Sequence, residues 1–457
     1  MFSAQTYIER RSALKRSVGS GVILIMGNEE APMNYHDNTY RYRQDSNFLY
    51  FFGISHAGIS AVIDIDSGEE IIFGHEFSMD DIIWVGPQPT LAEQARRVGV
   101  YRTEEPNKLP ERLKKALKVH FTPPYRFDNM IMMSEWLNIP TSQLKEKASV
   151  ELIKAIVALR SIKSDEEIVQ MEHAVNITRE MHIEAMQKTK AGKKEYEIVA
   201  AIHAKALEGG GNLAYGTIFS INGQTLHNHY HGNTLTDGRL VINDSGAENA
   251  MFYAGDITRT IPVSKGFTEK QKEIYNLVLK METESIVALR PGIQYREIHL
   301  LANKIMLEGM RDLGFLNGNV DEMLAEGVQG LFMPHGLGHA IGLDVHDMED
   351  LGEKYVGYRE GLERSTQLGL KSLRMAKELE AGFVLTVEPG IYFIPELIDK
   401  WKSENKFINF INYSKLDTYR DFGGVRIEDN CLITPTGSKT LGNPIPKTVD
   451  EVEALRG

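Results

Sequence analysis

The sequence predicts an α/β domain at the N-terminus, followed by a larger domain of long helices and short strands. Over about the first 150 residues, short apolar runs and turn residues alternate with helical periodicity. At Ser164 a helix-capping sequence opens the first long helical pattern. A chain of 457 residues accommodates two or three domains. We assign residues 1–160, including a linker after about residue 150, to the first domain and residues 161–457 to the second.

The first domain combines strand and helix candidates. Apolar runs beside turn residues predict strands at residues 22–25, 48–52, 61–63 and 71–73. Helical periodicity predicts helices at residues 91–98 and 110–117. Alternation of the two element types is typical of an α/β unit.

Two capping boxes predict two long helices in the second domain. Ser164 and Glu167 precede apolar residues at helical spacing, and Thr268 and Gln271 repeat this arrangement. The second helix should end at the Pro–Gly pair of residues 291–292. Strand-like runs follow at residues 240–242, 383–387 and 425–427. Each of these runs leads into an acidic residue or a turn, which is typical of a functional site.

Composition argues against nucleic-acid and membrane partners. The chain carries 51 Lys and Arg against 63 Asp and Glu, so its net charge of -12 favours no broad cationic surface. The single cysteine, Cys431, excludes an internal disulfide and fits a reducing compartment. No stretch approaches the roughly 18 apolar residues of a membrane span. Residues 1–17 are charged and polar, unlike a signal peptide, so we expect a cytoplasmic protein.

Several motifs that would indicate other chemistry are weak or missing. The glycine-rich run 209–214 has no preceding strand, so it is a poor dinucleotide fingerprint. The sequence has no Walker loop, HExxH motif or GxSxG elbow, and kinases, zincins and common serine hydrolases lose support. His227, His229 and His231 alternate and could form a metal cluster on one face of an extended segment. A loop beside a polar site produces the same pattern, and we favour that interpretation.

Five motifs in the second half carry acids and histidines. They are DSGAE at residues 244–248, AGDITRT at 254–260, PHGLGH at 334–339, TVEPG at 386–390 and RIED at 426–429. In order and in local sequence they resemble the pita-bread metallopeptidases, which include aminopeptidase P, prolidase and, more distantly, methionine aminopeptidase. YRQDSNF at residues 42–48 is similar to the N-terminal domain of aminopeptidase P. The resemblance implies an α/β N-terminal domain and an α+β pita-bread C-terminal domain.

The resemblance also implies a site for two divalent metal ions. Asp244 matches the chelating ligand of one ion, and Asp256 and Glu428 match the bridging ligands. His339 and Glu388 match the ligands of the other ion. Four carboxylates balance the charge of two divalent ions, and oxygen-rich ligation with one imidazole suits Mn(II).

Further roles follow from the same matches. Positions that correspond to catalytic groups are Glu388, His335 and His346. Positions that correspond to substrate-binding groups are His227, Tyr392, Arg426 and Trp84, the last across a subunit boundary in a homodimer or homotetramer. An ordinary packed side chain is the alternative interpretation of the tryptophan.

The implied activity is metal-dependent hydrolysis before proline, releasing the N-terminal residue from Xaa-Pro peptides. One alternative is an Xaa-Pro dipeptidase, because Glu388 and Glu428 are forty residues apart, wider than in short bacterial aminopeptidase P enzymes. The runs GLKSLR at 369–374 and FGGVRIE at 422–428 also look like prolidase. A metal-free peptide-binding protein of this fold is a minor alternative, since it would lack ligands that are all present here.

Two insertions are expected. Asp244 and Asp256 are twelve residues apart, where many family members have eleven. We predict the extra residue in a turn at residues 248–252, since a shift inside a strand would turn the second carboxylate to the opposite face. Residues 395–422 form a polar and aromatic stretch between two strand candidates and are predicted to be an inserted excursion.

Overall fold

A computed structural model describes residues 1–456 of the chain, which divide into two compact units. The first unit comprises Met1–Arg160 and Met348–Tyr355, and the second comprises Ser161–Asp347 and the chain from Val356 onward. The sequence contains no signal for the segment Met348–Tyr355 as part of the first unit. None of the helices within residues 1–456 has the length and apolar character needed to cross a membrane.

Five strands form one mixed sheet in the first unit: β1 (Val22–Met26), β2 (Ser60–Asp64), β3 (Glu70–Phe73), β4 (Arg102–Glu104) and β5 (Val119–His120). The strand order is β4-β3-β2-β1-β5, with β2 antiparallel to β1 and β3, and parallel pairs at both edges. The helices are α1 (Ala4–Val18), α2 (Ser46–Phe52), α3 (Met79–Val85), α4 (Leu91–Arg97), α5 (Leu109–Lys115), α6 (Phe127–Leu137), α7 (Thr141–Lys147) and α8 (Val150–Ser161).

The strand predicted at residues 48–52 is wrong, because these residues lie in α2. The Asp45 carboxylate accepts the backbone N–H groups of Asn47 and Phe48 at 2.9 Å and so starts the helix. Gly53 ends it with a left-handed φ of 62°. The helix is buried on every side, and a short, wholly apolar run does not distinguish a buried helix from a buried strand.

The second unit contains two helical pairs and several short sheets. Its helices are α9 (Asp165–Lys188), α10 (Glu195–Glu208), α11 (Glu269–Ala288), α12 (Tyr295–Asp312), α13 (Val320–Glu326), α15 (Pro395–Ser403), α16 (Tyr413–Leu416) and α17 (Val449–Leu455), while α14 (Glu353–Val356) begins in the first unit and ends in the second. Its strands are β6 (Asn212–Leu213), β7 (Ile218–Ser220), β8 (Leu240–Ser245), β9 (Ala247–Glu248), β10 (Ile257–Pro262), β11 (Val384–Val387), β12 (Gly390–Tyr392), β13 (Gly424–Arg426), β14 (Asp429–Ile433) and β15 (Ser438–Thr440).

These strands pair as β10-β8-β7, β11-β14-β15, β12-β13 and β6-β9. Helix α9 packs against α10, and α11 packs against α12, so each pair buries its apolar face in the core of the unit. Both predicted capping boxes are present at the starts of α9 and α11, and α11 ends before the Pro–Gly pair. Residues 395–422 contain α15 and α16, whose Trp401 and Leu416 belong to the same core.

Candidate metal centre

The two aspartates of the centre lie on one face of the β8–β10 pair. Asp244 of β8 is directly opposite Thr258 of β10. The same register extends without a break to the bridge between Glu248 and Ala254. Asp256 therefore lies diagonal to Asp244 on the same side of the pair. Since the strands contain no insertion, the twelve-residue spacing is absorbed in the five-residue turn 249–253, where Phe252 adopts a φ of 68°.

Glu428 extends this row of side chains from a third segment. Thr258 forms an antiparallel bridge with Glu428, so both side chains point to the same face. The Thr258 hydroxyl donates to Glu428 Oε2 at 2.6 Å, and the backbone N–H of Glu428 donates to the Thr258 carbonyl at 3.1 Å. Backbone pairing of β8, β10 and the Glu428 segment therefore brings three carboxylates close together.

His339 and Glu388 reach the same point from the PHGLGH segment and the end of β11. The His339 carbonyl accepts the backbone N–H of Thr386, and the backbone N–H of Glu388 donates to the Leu337 carbonyl at 2.8 Å. His339 Nδ1 donates to the Ala340 carbonyl at 3.1 Å, which leaves Nε2 as the ring atom that could bind a cation. That Nε2 lies 3.4 Å from Asp256 Oδ2 and 3.5 Å from Glu388 Oε1.

The donor set fits a divalent cation. Asp256, His339 and Glu428 are buried, and each offers a ligand atom within 4.8 Å of the others. Burial, followed by the charges of Asp256 and Glu388, raises the pKa of Glu428 well above its usual range. Burial also raises the pKa of Glu388 to about 7. A cation among these groups would remove the cost of burying their negative charges.

Hydrogen bonds and charges from Arg426 and His339 partly offset the effect of burial on the aspartates. Burial raises the pKa of Asp244 even though Arg426 Nη2 donates to its Oδ2 at 2.5 Å. Burial also opposes ionisation of Asp256, but the hydrogen bond and charge of His339 lower its pKa. Arg426 Nε donates in addition to the Thr258 hydroxyl at 3.0 Å, which fixes the guanidinium beside the carboxylate row.

Tyr215 is a site residue that the sequence analysis missed. Its hydroxyl lies 2.7 Å from Asp244 Oδ1 and 2.6 Å from Asp256 Oδ1. Asn430 was also missed, although its side chain accepts from the Asp256 backbone N–H at 3.0 Å and donates to the Asp256 carbonyl at 2.6 Å. Tyr215 stands in a short segment without a motif, so only the folded chain reveals its position.

A cavity of about 400 Å³ opens onto the centre. Among the sequence-predicted residues, its walls include Asp244, His339, Glu388, His227, His335, His346 and Arg426. Ser372 and Arg374, from the run GLKSLR, also line it and were not predicted as site residues. The cavity therefore joins the acids to three additional imidazoles and a second guanidinium.

Hydrogen bonds order the histidines around the cavity. His335 Nδ1 donates to the Gly336 carbonyl at 2.7 Å, so its Nε2 accepts from the Tyr392 hydroxyl at 2.9 Å. Burial, followed by the charge of Arg426, lowers the pKa of His335 to about 3, and the ring is neutral. Tyr392 is buried and accepts from Arg426 Nη1 at 2.9 Å. The ring of His346 stands edge-to-face against His339 with 4.2 Å between centroids.

His227 and Trp84 are both exposed, but their surroundings differ. His227 is exposed at the cavity wall, whereas His231 Nε2 donates to the Thr217 carbonyl at 3.1 Å and His229 Nδ1 approaches that carbonyl at 3.4 Å. Within residues 1–456, these three histidines form no group with metal-ligand spacing. Trp84 lies on α3 of the first unit with 86% of its surface exposed, so it is not packed within this chain.

Comparison with known proteins decides the family. The model of metallopeptidase family M24 matches residues 169–435, which contain all five candidate ligands. The chain belongs to metallopeptidase family M24. Residues 7–122 of this M24 metallopeptidase match the aminopeptidase P N-terminal domain. The predicted family and the predicted combination of an α/β N-terminal domain with an α+β pita-bread domain are confirmed.

Relatives of this M24 metallopeptidase carry two activities in their names. An Xaa-Pro dipeptidase from Rattus norvegicus is 34% identical over 455 residues, covering 95% of this chain and 88% of the relative. A probable Xaa-Pro aminopeptidase from Verticillium alfalfae is 32% identical, covering 96% and 93%. The structure of Escherichia coli aminopeptidase P with the inhibitor Pro-Leu is 30% identical, with a TM-score of 0.81 and coverage of 99% and 98%.

Proposed function

We propose that this protein is an Xaa-Pro aminopeptidase, which hydrolyses the bond before a proline and releases the N-terminal residue. The convergence of four carboxylates and one imidazole at the end of a histidine-lined cavity carries this proposal. The relative named probable Xaa-Pro aminopeptidase, and the structure of aminopeptidase P with the inhibitor Pro-Leu, support it. A metal-free binding protein is disfavoured because every ligand position holds a suitable side chain.

The centre would hold two divalent ions, with Mn(II) favoured by its oxygen-rich donors. Asp244 is assigned to one ion, His339 and Glu388 to the other, and Asp256 and Glu428 to both. When bound, two such ions would supply Lewis-acid chemistry there, acidifying a water and polarising a carbonyl. Peptidases of this kind therefore need neither a serine nor a cysteine nucleophile.

Several side chains of the protein would contact the substrate, and one would transfer a proton to it. Glu388 faces the cavity and is assigned the transfer of a proton to the leaving nitrogen. His335, whose Nε2 accepts from the Tyr392 hydroxyl, and His346 are assigned contacts with the substrate near the scissile carbonyl and the proline. Arg426 holds Asp244 in place. A proline after the cut has no N–H, so recognition relies on shape and on the carbonyl.

Trp84 and His227 complete the proposed substrate contacts. His227 stands at the cavity wall beside Arg426 and Asp244. Trp84 is exposed on α3, which leaves its indole available to a second copy of the chain in a homodimer or homotetramer. We further propose residues 1–160 and 161–457 as the two domains, with 395–422 as an insertion in the second.

An Xaa-Pro dipeptidase is the second candidate, because Arg374 lines the cavity. A guanidinium there can form a charge-assisted pair with the free carboxylate of a dipeptide. The rat relative named Xaa-Pro dipeptidase points the same way.

Parallel digestion of Arg-Pro-Pro and Gly-Pro, followed by mass spectrometry with Mn(II) and with a chelator, tests both candidates. Release of arginine from the tripeptide, lost with the chelator, is the expected result. Cleavage of Gly-Pro alone would establish the dipeptidase. If neither peptide is cleaved in a metal-dependent way, both candidates fail.

A further inference from the structure

A buried polar layer lies behind the carboxylate row, on the opposite face of β10. Thr258 contacts Glu428 at the metal centre and Thr260 lies on the same face of the strand, so Arg259 between them points away. Arg259 is fully buried. Its guanidinium donates to the carbonyls of Thr258, Glu428, Ile445 and Pro446 and to the carboxylate of Asp429. One side chain thus ties the strand that follows Asp256 to the backbone of Glu428.

Asp429 continues this layer toward the C-terminus. Its Oδ1 accepts from Arg259 Nη2 at 2.7 Å, and its Oδ2 accepts from Lys447 Nζ at 2.6 Å. The same ammonium donates to Glu282 Oε1 of α11 at 2.7 Å. Glu282 is fully buried, whereas the Lys447 side chain is 26% exposed. Lys447 therefore joins a helix to the residue that directly follows Glu428.

The segment that carries Lys447 is fixed by its backbone as well. It lies between β15 and α17, and none of its residues lines the cavity. The Tyr275 hydroxyl of α11 donates to the Lys447 carbonyl at 2.8 Å. Arg259 Nε donates to the Pro446 carbonyl at 2.9 Å. Of these two anchors, Arg259 also holds the backbone carbonyl of Glu428.

We propose that Lys447 is a positioning residue of the metal centre, acting through Asp429 on the orientation of Glu428. The inference rests on the proposed function, since it assigns Glu428 to the metal. Without the ammonium, Asp429 loses one of the two cations that hold it, so its position between Arg259 and Glu282 changes, although its contact with Arg259 and its hydrogen bond with Glu282 remain. Displacing Asp429 shifts the neighbouring ligand, because Arg259 also holds the carbonyl of Glu428.

Lys447→Met tests this proposal, because it keeps the length of the side chain and removes its charge. We expect the Kd for Mn(II), measured by isothermal titration calorimetry on the metal-stripped full chain, to rise about tenfold, the scale of outer-shell effects on metal sites. The kcat on Arg-Pro-Pro should fall while KM stays within about twofold, since Lys447 does not touch the cavity. Lys447→Arg should restore the Mn(II) affinity.

Lys439→Met is the matched control, because Lys439 pairs with Glu172 at 2.6 Å on the surface. A folded Lys447→Met protein with the Mn(II) affinity of the parent would overturn the proposal, as would an equal loss in the control. If Lys447→Met does not fold, Tyr275→Phe decides, and its Kd should rise at least threefold. A parent chain without Mn(II) binding would instead refute the proposed function.

Discussion

Asp244 and Asp256 meet at a single hydroxyl, that of Tyr215. Asp244 lies in β8 and Asp256 directly precedes the neighbouring strand β10, in an unbroken register, and the tyrosine comes from the segment before β7. Burial, followed by the charges of both aspartates, raises the pKa of Tyr215 well above its usual range. The hydroxyl therefore stays protonated and holds the two carboxylates in a fixed relation.

Tyr215→Phe should weaken the centre without changing any proposed ligand. Loss of the hydroxyl frees two carboxylate oxygens, and we expect a loss of about 10- to 100-fold in Mn(II) affinity or in kcat. Calorimetry and the Arg-Pro-Pro assay measure the two effects. Tyr196→Phe removes a hydroxyl from an exposed side chain and serves as the control. Parental affinity and kcat in Tyr215→Phe would show that the hydroxyl does not order the ligands.

Glu428→Gln should have opposite effects on stability with and without metal. The raised pKa of Glu428 means that its ionisation opposes folding, and this cost grows as pH rises above the ordinary glutamate value. At pH 8 with a chelator, the variant should melt about 2 °C or more above the parent. With Mn(II) the parent should melt higher, because binding stabilises the folded state. Turnover should be abolished in this variant.

Differential scanning calorimetry in the two conditions makes this comparison. Glu273→Gln, an exposed substitution of the same chemistry on α11, should leave both melting temperatures unchanged. A metal-free Glu428→Gln protein that melts below the metal-free parent would show that burial of the Glu428 carboxylate does not destabilise the metal-free protein.

Arg374→Ala should distinguish the two substrate classes. If the guanidinium pairs with the terminal carboxylate of Gly-Pro, its removal costs about 1.5–3 kcal/mol, or roughly 10- to 100-fold in KM. The KM for Arg-Pro-Pro should change much less, because its carboxylate lies one residue further from the cut. Lys371→Ala, at an exposed position of the same segment, is the control. Equal changes for both peptides would remove the support for the dipeptidase.

His182 should make the protein less stable in acid. The ring donates from Nε2 to the Ser245 carbonyl at 3.0 Å and accepts from Asn243, and burial lowers its pKa to about 3. Between pH 6.5 and 3 the unfolded state binds a proton at His182 that the folded state does not bind. The free energy of unfolding therefore falls as pH falls through this window. Above pH 6.5 this histidine contributes no slope.

His182→Gln keeps one donor and one acceptor but does not titrate. The free energy of unfolding, measured with urea at pH 7.5, 6 and 5, should fall less steeply in the variant, by up to about 1.4 kcal/mol per pH unit. Identical slopes in the two proteins would show that His182 binds protons equally in the folded and unfolded states, which contradicts the prediction.

The sequence by itself determined the elements whose signals are local. Capping boxes located the starts of α9 and α11, since their hydrogen bonds join residues three positions apart. The family was identified from the motifs around Asp244, Asp256, His339, Glu388 and Glu428, because the sequence shows residue types and their order directly. The strand-like runs at residues 240–242 and 425–427 likewise located β8 and β13.

Only the tertiary structure decided which side chains meet. Tyr215 and Asn430 belong to no motif, and their contacts with Asp256 depend on register between distant segments. Residues 48–52 form a helix that the sequence did not distinguish from a strand, because a segment buried on every side lacks the periodicity that separates the two. Lys447 stands 165 residues from Glu282, and no local pattern joins them. Such contacts arise from packing, which brings together residues that the sequence keeps apart.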